Sequence, residues 1–166
     1  MVRRKAMSAS YRAKAVANYF LTQMRLHKLL CYPHGWHLGF RDMPLLDETL
    51  VAWPYGPVAP SICGDFAQLG ATSIDCFATE FNPSRKDSSS VPAFDASDTF
   101  VRDLLARVWE VYGDYTAAQL SGLTHAADSP WTVTRENDSR VKYAGIPNRV
   151  IRSHLRERIE RARSAV

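Results

Sequence analysis

The chain has 166 residues, of which 46% are hydrophobic and 23% charged, so it is neither disordered nor fibrous and suits one globular domain. At this length folding buries roughly 70% of the unfolded chain's surface, so one core suffices without disulfides or a metal. The net charge is +4, but residues 41–138 carry fifteen acidic and six basic side chains, whereas both ends are basic. We expect the ends to pack against the middle; a basic surface for an acidic partner or nucleic acid is the alternative.

The cysteines and the chain start indicate the cellular setting. Cys31, Cys63 and Cys76 contain no Cys-x-x-Cys pair, so we expect neither disulfides nor a zinc knuckle, and a cytoplasmic location. The basic start is not followed by an apolar signal region, and no apolar run of about 18 residues occurs, so no membrane contact is expected. Residues 1–10 are interpreted as a basic extension and residues 11–162 as a single domain.

The first third of the chain has helical composition. Over Tyr11–Leu30 the apolar stripe changes phase near Gln23–Arg25, which predicts two helical pieces. We expect Pro33 to limit the second piece, with continuation through Cys31–Phe40 as the alternative. Arg41–Pro44 is predicted to be a turn.

Short β elements are predicted next. Glu48–Trp53 is rich in Thr, Val and Trp, which favours a short strand. The bend over Trp53–Pro57 is rigid because of its prolines, and Gly56 can take a positive φ there. Apolar spacing predicts a helix over residues 60–70 that begins at a proline, and alternation predicts a second strand over Thr72–Phe77.

The second half of the chain is mostly helical. Residues 82–97 are rich in serine and proline and are predicted to be a loop. A helix is predicted over Asp98–Tyr112, a second from a capping box at Thr116 to about Leu123, and a last one over Asn148–Ala162 with arginines facing outward. The predicted fold class is mainly α (α+β): a single compact helical domain with a small two- or three-stranded β element.

Candidate catalytic and metal sites are weak. His34 and His37 could share one helical face, but no third ligand with suitable spacing accompanies them. Cys31 or Ser121 could be paired with His125, yet neither a nucleophile elbow nor a phosphate loop is present. We therefore expect no enzyme activity, no metal and no cofactor.

Histidine and aromatic side chains mark the remaining candidates. We interpret His125 as a structural residue whose ring bonds backbone groups of a tight turn, with Trp131 packed across it; the alternative is the edge of a pocket. Trp36, Trp53 and Tyr55 are expected to pack in the core or in the bend, with an aromatic contact surface as the alternative.

Several short motifs occur along the chain in one order. They are Leu26–Tyr32, Gly35–Leu38, Pro44–Leu46, Val51–Pro60, Val108–Gly113, Leu120–Ser121, Leu123–His125, Ser129–Trp131 and a late segment over Ile146–Ile151. In this order they resemble the SocA-like antitoxin family, also called the Panacea domain and earlier the phage-associated GepA-like proteins. The resemblance extends from about Tyr11 to Ile159, which is nearly the whole chain.

The resemblance implies a function and a set of motif positions. It implies a mostly helical antitoxin without assigned catalytic residues that neutralises a cognate toxin by direct contact. In at least one lineage such a protein also delivers its toxin to a cytosolic protease, so a protease or chaperone is a further expected partner. The motif positions, as structural or partner-binding residues, are Lys28, Trp36, Trp53, Tyr55, Gly56, Pro57, His125, Pro130 and Trp131.

The sequence departs from the family pattern in two places. Family members usually have several more residues where Leu21–Met24 stands here. Cys31 and Pro33 replace residues that are usually aromatic or small, so the helix through Tyr32 is expected to kink.

A DNA-binding regulator of a phage or toxin–antitoxin locus is the alternative function. Thr116–Leu123 could begin a helix-turn-helix, and the arginines of Asn148–Ala162 could contact phosphates. Against it, Pro130 is expected to interrupt the place of a recognition helix. Nucleic acid is therefore the less favoured partner.

Overall fold

The computed structural model describes residues 10–19, 29–62, 80–82, 87–90, 95, 97–138 and 140–165. The elements in chain order are α1 (Ala13–Tyr19), α2 (Cys31–Arg41), β1 (Val51–Trp53), β2 (Gly56–Val58), β3 (Glu80–Asn82), β4 (Asp87–Ser90), α3 (Thr99–Tyr112), α4 (Ala117–Thr124), α5 (Pro130–Asn137) and α6 (Asn148–Ser164). The fold is mainly α with small antiparallel β elements, as predicted.

Helices α2 and α6 form the most extensive helix pair among the described elements. Two glycines of α2 face α6: a Cβ atom on Gly35 would lie 3.3 Å from Cδ2 of Leu155, and one on Gly39 would lie 3.1 Å from Cδ1 of Ile159. Because glycine has no Cβ, the two helix axes can approach closely along this line. Ile151 and Leu155 are buried in the contact.

The core lies between this helix pair, α3 and the β1–β2 hairpin, and it is formed largely by aliphatic side chains. Its largest fully buried members include Leu29, Leu30, Leu45, Leu46, Leu50, Ile62, Leu105, Leu120 and Ile146. The start of the described chain is attached to this core, because the N–H of Tyr11 donates to the carbonyl of Leu45 at 2.5 Å. The Tyr11 hydroxyl also donates to Asp98, at the start of α3.

The β1–β2 hairpin is the predicted rigid bend. Trp53 pairs with Gly56, so Pro54 and Tyr55 form a two-residue loop, and Gly56 has the expected positive φ of 121°. The strand is shorter than predicted, since it begins at Val51 rather than Glu48.

A second segment extends this hairpin into a larger β element. The N–H of Ala52 donates to Ala144 at 2.8 Å, and the N–H of Ile146 donates to Leu50 at 2.7 Å. The residues just before α6 therefore pair with β1 on the side opposite to β2. This pairing connects the C-terminal helix to the hairpin through main-chain hydrogen bonds.

Proline positions correct two predictions. Pro33 does not end a helix: α2 begins at Cys31 and continues to Arg41, with Pro33 in its first turn, where a missing N–H costs nothing. Leu30, which precedes α2, itself has helical backbone angles of φ −61° and ψ −29°. Pro130 likewise does not interrupt a helix but is the first residue of α5, a position that proline favours.

The serine-rich stretch is also not a simple loop. β3 and β4 pair with Glu80 opposite Ser90 and Asn82 opposite Asp87, so a hairpin occupies part of the predicted loop over residues 82–97. β4 has the sequence Asp-Ser-Ser-Ser, so it lacks the alternating apolar side chains by which a strand is recognised, and only its main-chain pairing reveals it.

The long helices agree with the predictions. α3 begins after Asp98, whose carboxylate accepts the N–H of Val101 at 3.2 Å. α4 has the predicted capping box between Thr116 and Gln119, and α6 begins at Asn148 as predicted.

Other predictions fall on parts that the structure does not describe. These are the phase break at Gln23–Arg25, the departure at Leu21–Met24, the motif residue Lys28, the helix beyond residue 62 and the strand over Thr72–Phe77.

Among the described residues, the basic C-terminal helix forms its ion pairs with the acidic middle at Asp42. Asp42, which ends α2 in a left-handed conformation, accepts from Arg152 at 2.5 Å and lies 3.1 Å from Arg156. The hydrogen bond from Arg152 lowers the pKa of Asp42. These groups are exposed, so the pairing orients α6 more than it stabilises the fold.

His34 connects α2 to two other segments. Its Nδ1 accepts the N–H of Leu46 at 3.2 Å, so its proton resides on Nε2, which donates to Oδ1 of Asn148 at 3.0 Å. Asn148 is the first residue of α6. Burial lowers the pKa of His34 to about 4, which keeps the ring neutral.

Replacing Gly39 with valine should destabilise the protein by roughly 1–3 kcal/mol, because the new side chain would collide with Leu155 and Ile159. Gly122→Ala is the control, since no neighbouring atom lies within 4 Å of a Cβ there. We expect it to be neutral or stabilising by up to about 1 kcal/mol. Urea unfolding measures both; equal stability of the two variants would contradict the close α2–α6 packing.

Acid should destabilise the protein through His34. The pKa of His34 is about 4 in the folded state and 6.5 in the unfolded state. The unfolded chain therefore takes up a proton first, so the free energy of unfolding is unaffected above pH 6.5 and decreases as the pH falls from 6.5 toward 4. Between pH 7.5 and pH 5.0 the expected loss from this residue is about 2 kcal/mol. Burial also lowers the pKa of His37 and His154, so these residues add to the loss of stability in acid.

Urea unfolding of the wild type and of His34→Gln at both pH values tests this. The variant should be less stable at pH 7.5 but should lose less stability on acidification. An equal acid loss in both proteins would assign the pH dependence to other groups.

Candidate partner-binding pocket

An apolar pocket opens between α2, the hairpin, the α4–α5 turn and α6. The space within it, including the part that is open to solvent, is about 580 Å³. Its lining residues are Cys31, Tyr32, Gly35, Trp36, Leu50, Pro57, Leu123, Thr124, Ser129, Pro130, Trp131, Ile146, Ile151, His154, Leu155 and Arg158. None of these is acidic, and Arg158 is the one arginine or lysine among them. We refer to this site as the pocket.

The α4–α5 wall is shaped by a hydrogen-bonded turn. Ser129 caps α5 by accepting the N–H of Thr132 at 3.2 Å, and its hydroxyl donates to the carbonyl of Thr124 at 2.6 Å. The hydroxyl of Thr124 donates to Ser121 at 2.9 Å. Because Pro130 also fixes φ at the start of α5, the wall has a defined shape before any partner binds.

Trp131 connects this wall to the hairpin. Its indole N–H donates to the carbonyl of Trp53 at 2.8 Å. His125, at the end of α4, stacks on the indole with ring centroids 4.1 Å apart and an interplanar angle of 24°. The predicted packing of Trp131 across His125 is therefore confirmed, and Trp131 also contributes a face to the pocket.

Tyr32 forms part of the α2 wall. Its ring stacks on Tyr112 of α3 at 4.2 Å, and its hydroxyl donates to the carbonyl of Leu120 at 3.3 Å. Burial raises the pKa of Tyr32, so the phenol stays protonated. The contact joins α2, α3 and α4 behind the pocket.

The rim combines an aromatic ring with a cation. Trp36 stacks against the exposed ring of Phe40 at 5.7 Å, and the guanidinium of Arg158 lies 5.8 Å from the ring centroid of Trp36. His154, on the same helix as Arg158, is half-buried, and burial lowers its pKa, so it is neutral at pH 7. Arg158 therefore carries the positive charge at the rim.

The structure brings four of the nine predicted motif residues to the pocket. Trp36, Pro57, Pro130 and Trp131 line it. His125 covers the Trp131 ring, Trp53 supplies the carbonyl that holds the indole, and Gly56 provides the left-handed residue of the hairpin.

Tyr55 departs from the packing that the sequence predicted. Its side chain is 85% exposed at the tip of the β1–β2 hairpin, so it does not pack in the bend. The two-residue loop turns this position outward, away from the core. Among the described residues, it is the most exposed large hydrophobic side chain.

Among the pocket residues that sequence reasoning did not assign to a site are His154, Arg158 and Leu123, the last of which it placed only within a motif. The signal for two of them was present, since His154 and Arg158 are three residues after the inward-facing Ile151 and Leu155, on the edge of the same helical face. Leu123 was placed within a helix but not assigned to a surface.

The two histidines of α2 have structural partners. Both ring nitrogens of His34 are bonded as described above, and Nδ1 of His37 bonds the carbonyl of Met43 at 2.7 Å. Within the ranges that the structure describes, no three His, Cys, Asp or Glu side chains are grouped so that they could hold a metal ion. Nor does any helix in those ranges combine the length and apolarity needed to cross a membrane.

A family model described as antitoxin SocA-like, Panacea domain, matches residues 26–132. The chain belongs to this family. Antitoxin SocA of Caulobacter vibrioides (strain NA1000 / CB15N) is 30% identical over 134 residues, which cover 73% of this chain and 69% of the relative. No solved structure matches the chain.

The Panacea segment supplies only part of the pocket. The walls from α2, the hairpin and the α4–α5 turn lie inside the matched residues 26–132, whereas the α6 wall lies beyond them. The Panacea match therefore includes Trp36, Pro57 and Trp131 but not Arg158.

Trp131 and Tyr55 should respond differently to truncation. Trp131→Ala removes a partly buried ring and its hydrogen bond to Trp53, so we expect a loss of about 3 kcal/mol in the free energy of unfolding. Tyr55→Ala removes an exposed side chain and should change that free energy by less than about 0.5 kcal/mol. Thermal and urea unfolding check both values; a Trp131→Ala protein as stable as the wild type would show that the indole does not support the fold.

Proposed function

We propose that this chain has an antitoxin-type role and neutralises a cognate toxin by direct protein contact, with the pocket as the contact surface. The observation that carries the proposal is the convergence of four motif positions, Trp36, Pro57, Pro130 and Trp131, on one apolar pocket. Aromatic side chains in a preformed apolar depression are typical of the energetic centre of protein interfaces.

The polar groups of the pocket favour binding over catalysis. The hydroxyls of Tyr32, Thr124 and Ser129 all donate to main-chain carbonyls. A hydroxyl used in this way holds the wall in place and is poorly suited to attack a substrate. The proposed role is therefore non-catalytic.

The DNA-binding alternative receives less support. α4 and α5 are two helices joined by a short turn, so the objection based on Pro130 no longer applies. However, Arg135 of α5 donates to the carbonyl of Ala52 and lies over Trp131, so it faces inward. The exposed side chains at the end of α5 are Glu136 and Asn137, which do not form the basic surface that phosphates require.

Delivery of the bound toxin to a cytosolic protease, or cooperation with a chaperone, is a further part of the proposal. Both roles would take place in the cytoplasm. The toxin's half-life, measured with and without this protein in cells, tests delivery: an adaptor shortens it, whereas a protein that only neutralises its toxin leaves it equal or longer.

Two equally exposed aliphatic residues, Leu123 and Val111, allow a matched test of the contact surface. Leu123 is 44% exposed and lines the pocket, whereas Val111 is 43% exposed and is not among the lining residues. Each is the penultimate residue of its helix. Leu123→Asn should weaken toxin binding about tenfold, and Val111→Asn should leave it unchanged, with both proteins folded.

Co-expression with the neighbouring protein of the native operon, followed by pull-down and growth assays, measures the effect. Equal neutralisation by both variants would remove the pocket as the contact surface. Recovery of no protein partner, together with duplex-DNA binding that falls steeply with salt, would favour the regulator.

A further inference from the structure

We infer that the pocket binds a partner segment that presents a large apolar side chain with a carboxylate beside it, the apolar group entering the pocket and the carboxylate pairing with Arg158. This inference rests on the proposed function and states the chemistry of the partner. It is carried by the charge at the rim and by the apolar walls.

The walls select the apolar part of the occupant. Trp36 belongs to the α2 wall and Trp131 to the α5 wall, and with Pro57, Leu123 and Ile151 they form a lining in which no described residue is acidic. The hydroxyls in the walls already donate to carbonyls, so they offer little to a polar side chain. A large aliphatic or aromatic side chain therefore gains most from entering.

The arginines of α6 have different partners. Arg152 and Arg156 pair with Asp42, and Arg161 pairs with Glu157. No described carboxylate lies within ion-pair distance of Arg158, whose guanidinium instead lies near the Trp36 ring. The guanidinium of Arg158 thus forms no ion pair with the described carboxylates, while the carboxylates of Asp128 and Glu157 act on the neighbouring His154.

The position of this charge increases its value to a partner. A bound apolar side chain would displace water from the pocket and lower the local dielectric around Arg158, which strengthens its attraction to a carboxylate. A guanidinium can also bind both carboxylate oxygens, which gives the contact a preferred direction. Nucleic acid fits less well, since one cation beside an apolar pocket neutralises few phosphates.

Random 12-residue peptides displayed on phage and selected on the full chain provide the probe. We expect the enriched peptides to contain Phe, Trp, Leu or Met within two residues of Asp or Glu. One enriched peptide, and the same peptide with its acid changed to the amide, are then titrated by fluorescence anisotropy. Absence of enrichment, or enrichment of peptides without acidic residues, would overturn the inference.

Arg158→Gln and Arg163→Gln form a matched pair for this titration. Both arginines are exposed on α6 and both changes remove one charge, but Arg163 does not line the pocket. Arg158→Gln should raise the peptide Kd about tenfold and Arg163→Gln less than about twofold. The amide peptide should bind the wild type about tenfold more weakly but bind Arg158→Gln no more weakly than the acid does.

The inference would be overturned if Arg158→Gln and the amide peptide had additive effects on Kd. It would also be overturned if Arg158→Gln and Arg163→Gln weakened peptide binding equally. Displacement of the peptide by random duplex DNA at 150 mM salt would do the same. Leu123→Asn separates the two proposals. If Leu123→Asn abolishes toxin neutralisation while the effects of Arg158→Gln and of the amide peptide on Kd are additive, only the charge pairing fails. If the peptides bind as expected but the Leu123→Asn protein still neutralises the toxin, the proposed function fails.

Discussion

The close approach of α2 and α6 determines the rest of this molecule. Gly35 and Gly39 leave room for Ile151, Leu155 and Ile159, so two helices far apart in the chain lie side by side. This contact places the α6 rim next to Trp36. A Cβ atom at Gly35 would lie 3.3 Å from Leu155 and one at Gly39 would lie 3.1 Å from Ile159, so a large side chain at either position would press on the α6 wall of the pocket.

Two polar contacts fix the helix pair along its length. His34 reaches from α2 to Asn148 at the start of α6, and Asp42 reaches from the end of α2 to Arg152. The first is buried at its His34 end and uses Nε2–H, a donor in either protonation state, whereas the second is exposed and screened by salt. The neutral imidazole is required instead for the bond that Nδ1 accepts from the N–H of Leu46. The buried contact therefore supports the geometry, and the exposed one adds orientation.

Sequence reasoning succeeded where structure is local. The apolar spacing and caps of α3, α4 and α6 depend on residues within one helix, so they could be predicted. Pro33 and Pro130 were misjudged because the effect of a proline depends on its position in the helix, which the residue type alone does not give. The β4 strand was missed because its pairing uses the main chain.

The pocket itself could be predicted only in part. The motif positions Trp36 and Trp131 were identified from the family resemblance. Their placement in one pocket depends on tertiary packing and on the hydrogen bond from the Trp131 indole to Trp53. Tyr55 was misplaced because a two-residue hairpin loop turns it into solvent. Arg158 escaped notice since it lies among other arginines, and only the structure shows which of them pair with carboxylates.

The pocket combines a hydrogen-bonded interior with an exposed rim. Hydrogen bonds and ring stacking hold Tyr32, Ser129 and Trp131 before a partner arrives, so binding requires little ordering of these side chains. An apolar interior discriminates weakly between side chains of similar size. For the proposed partner, discrimination would come from the rim, where a misplaced charge or an unpaired arginine is unfavourable. Arg158 lies beyond the matched residues 26–132, as do Ile146, Ile151 and Leu155, so the segment from Ile146 through α6 supplies both apolar lining and the cation at the rim.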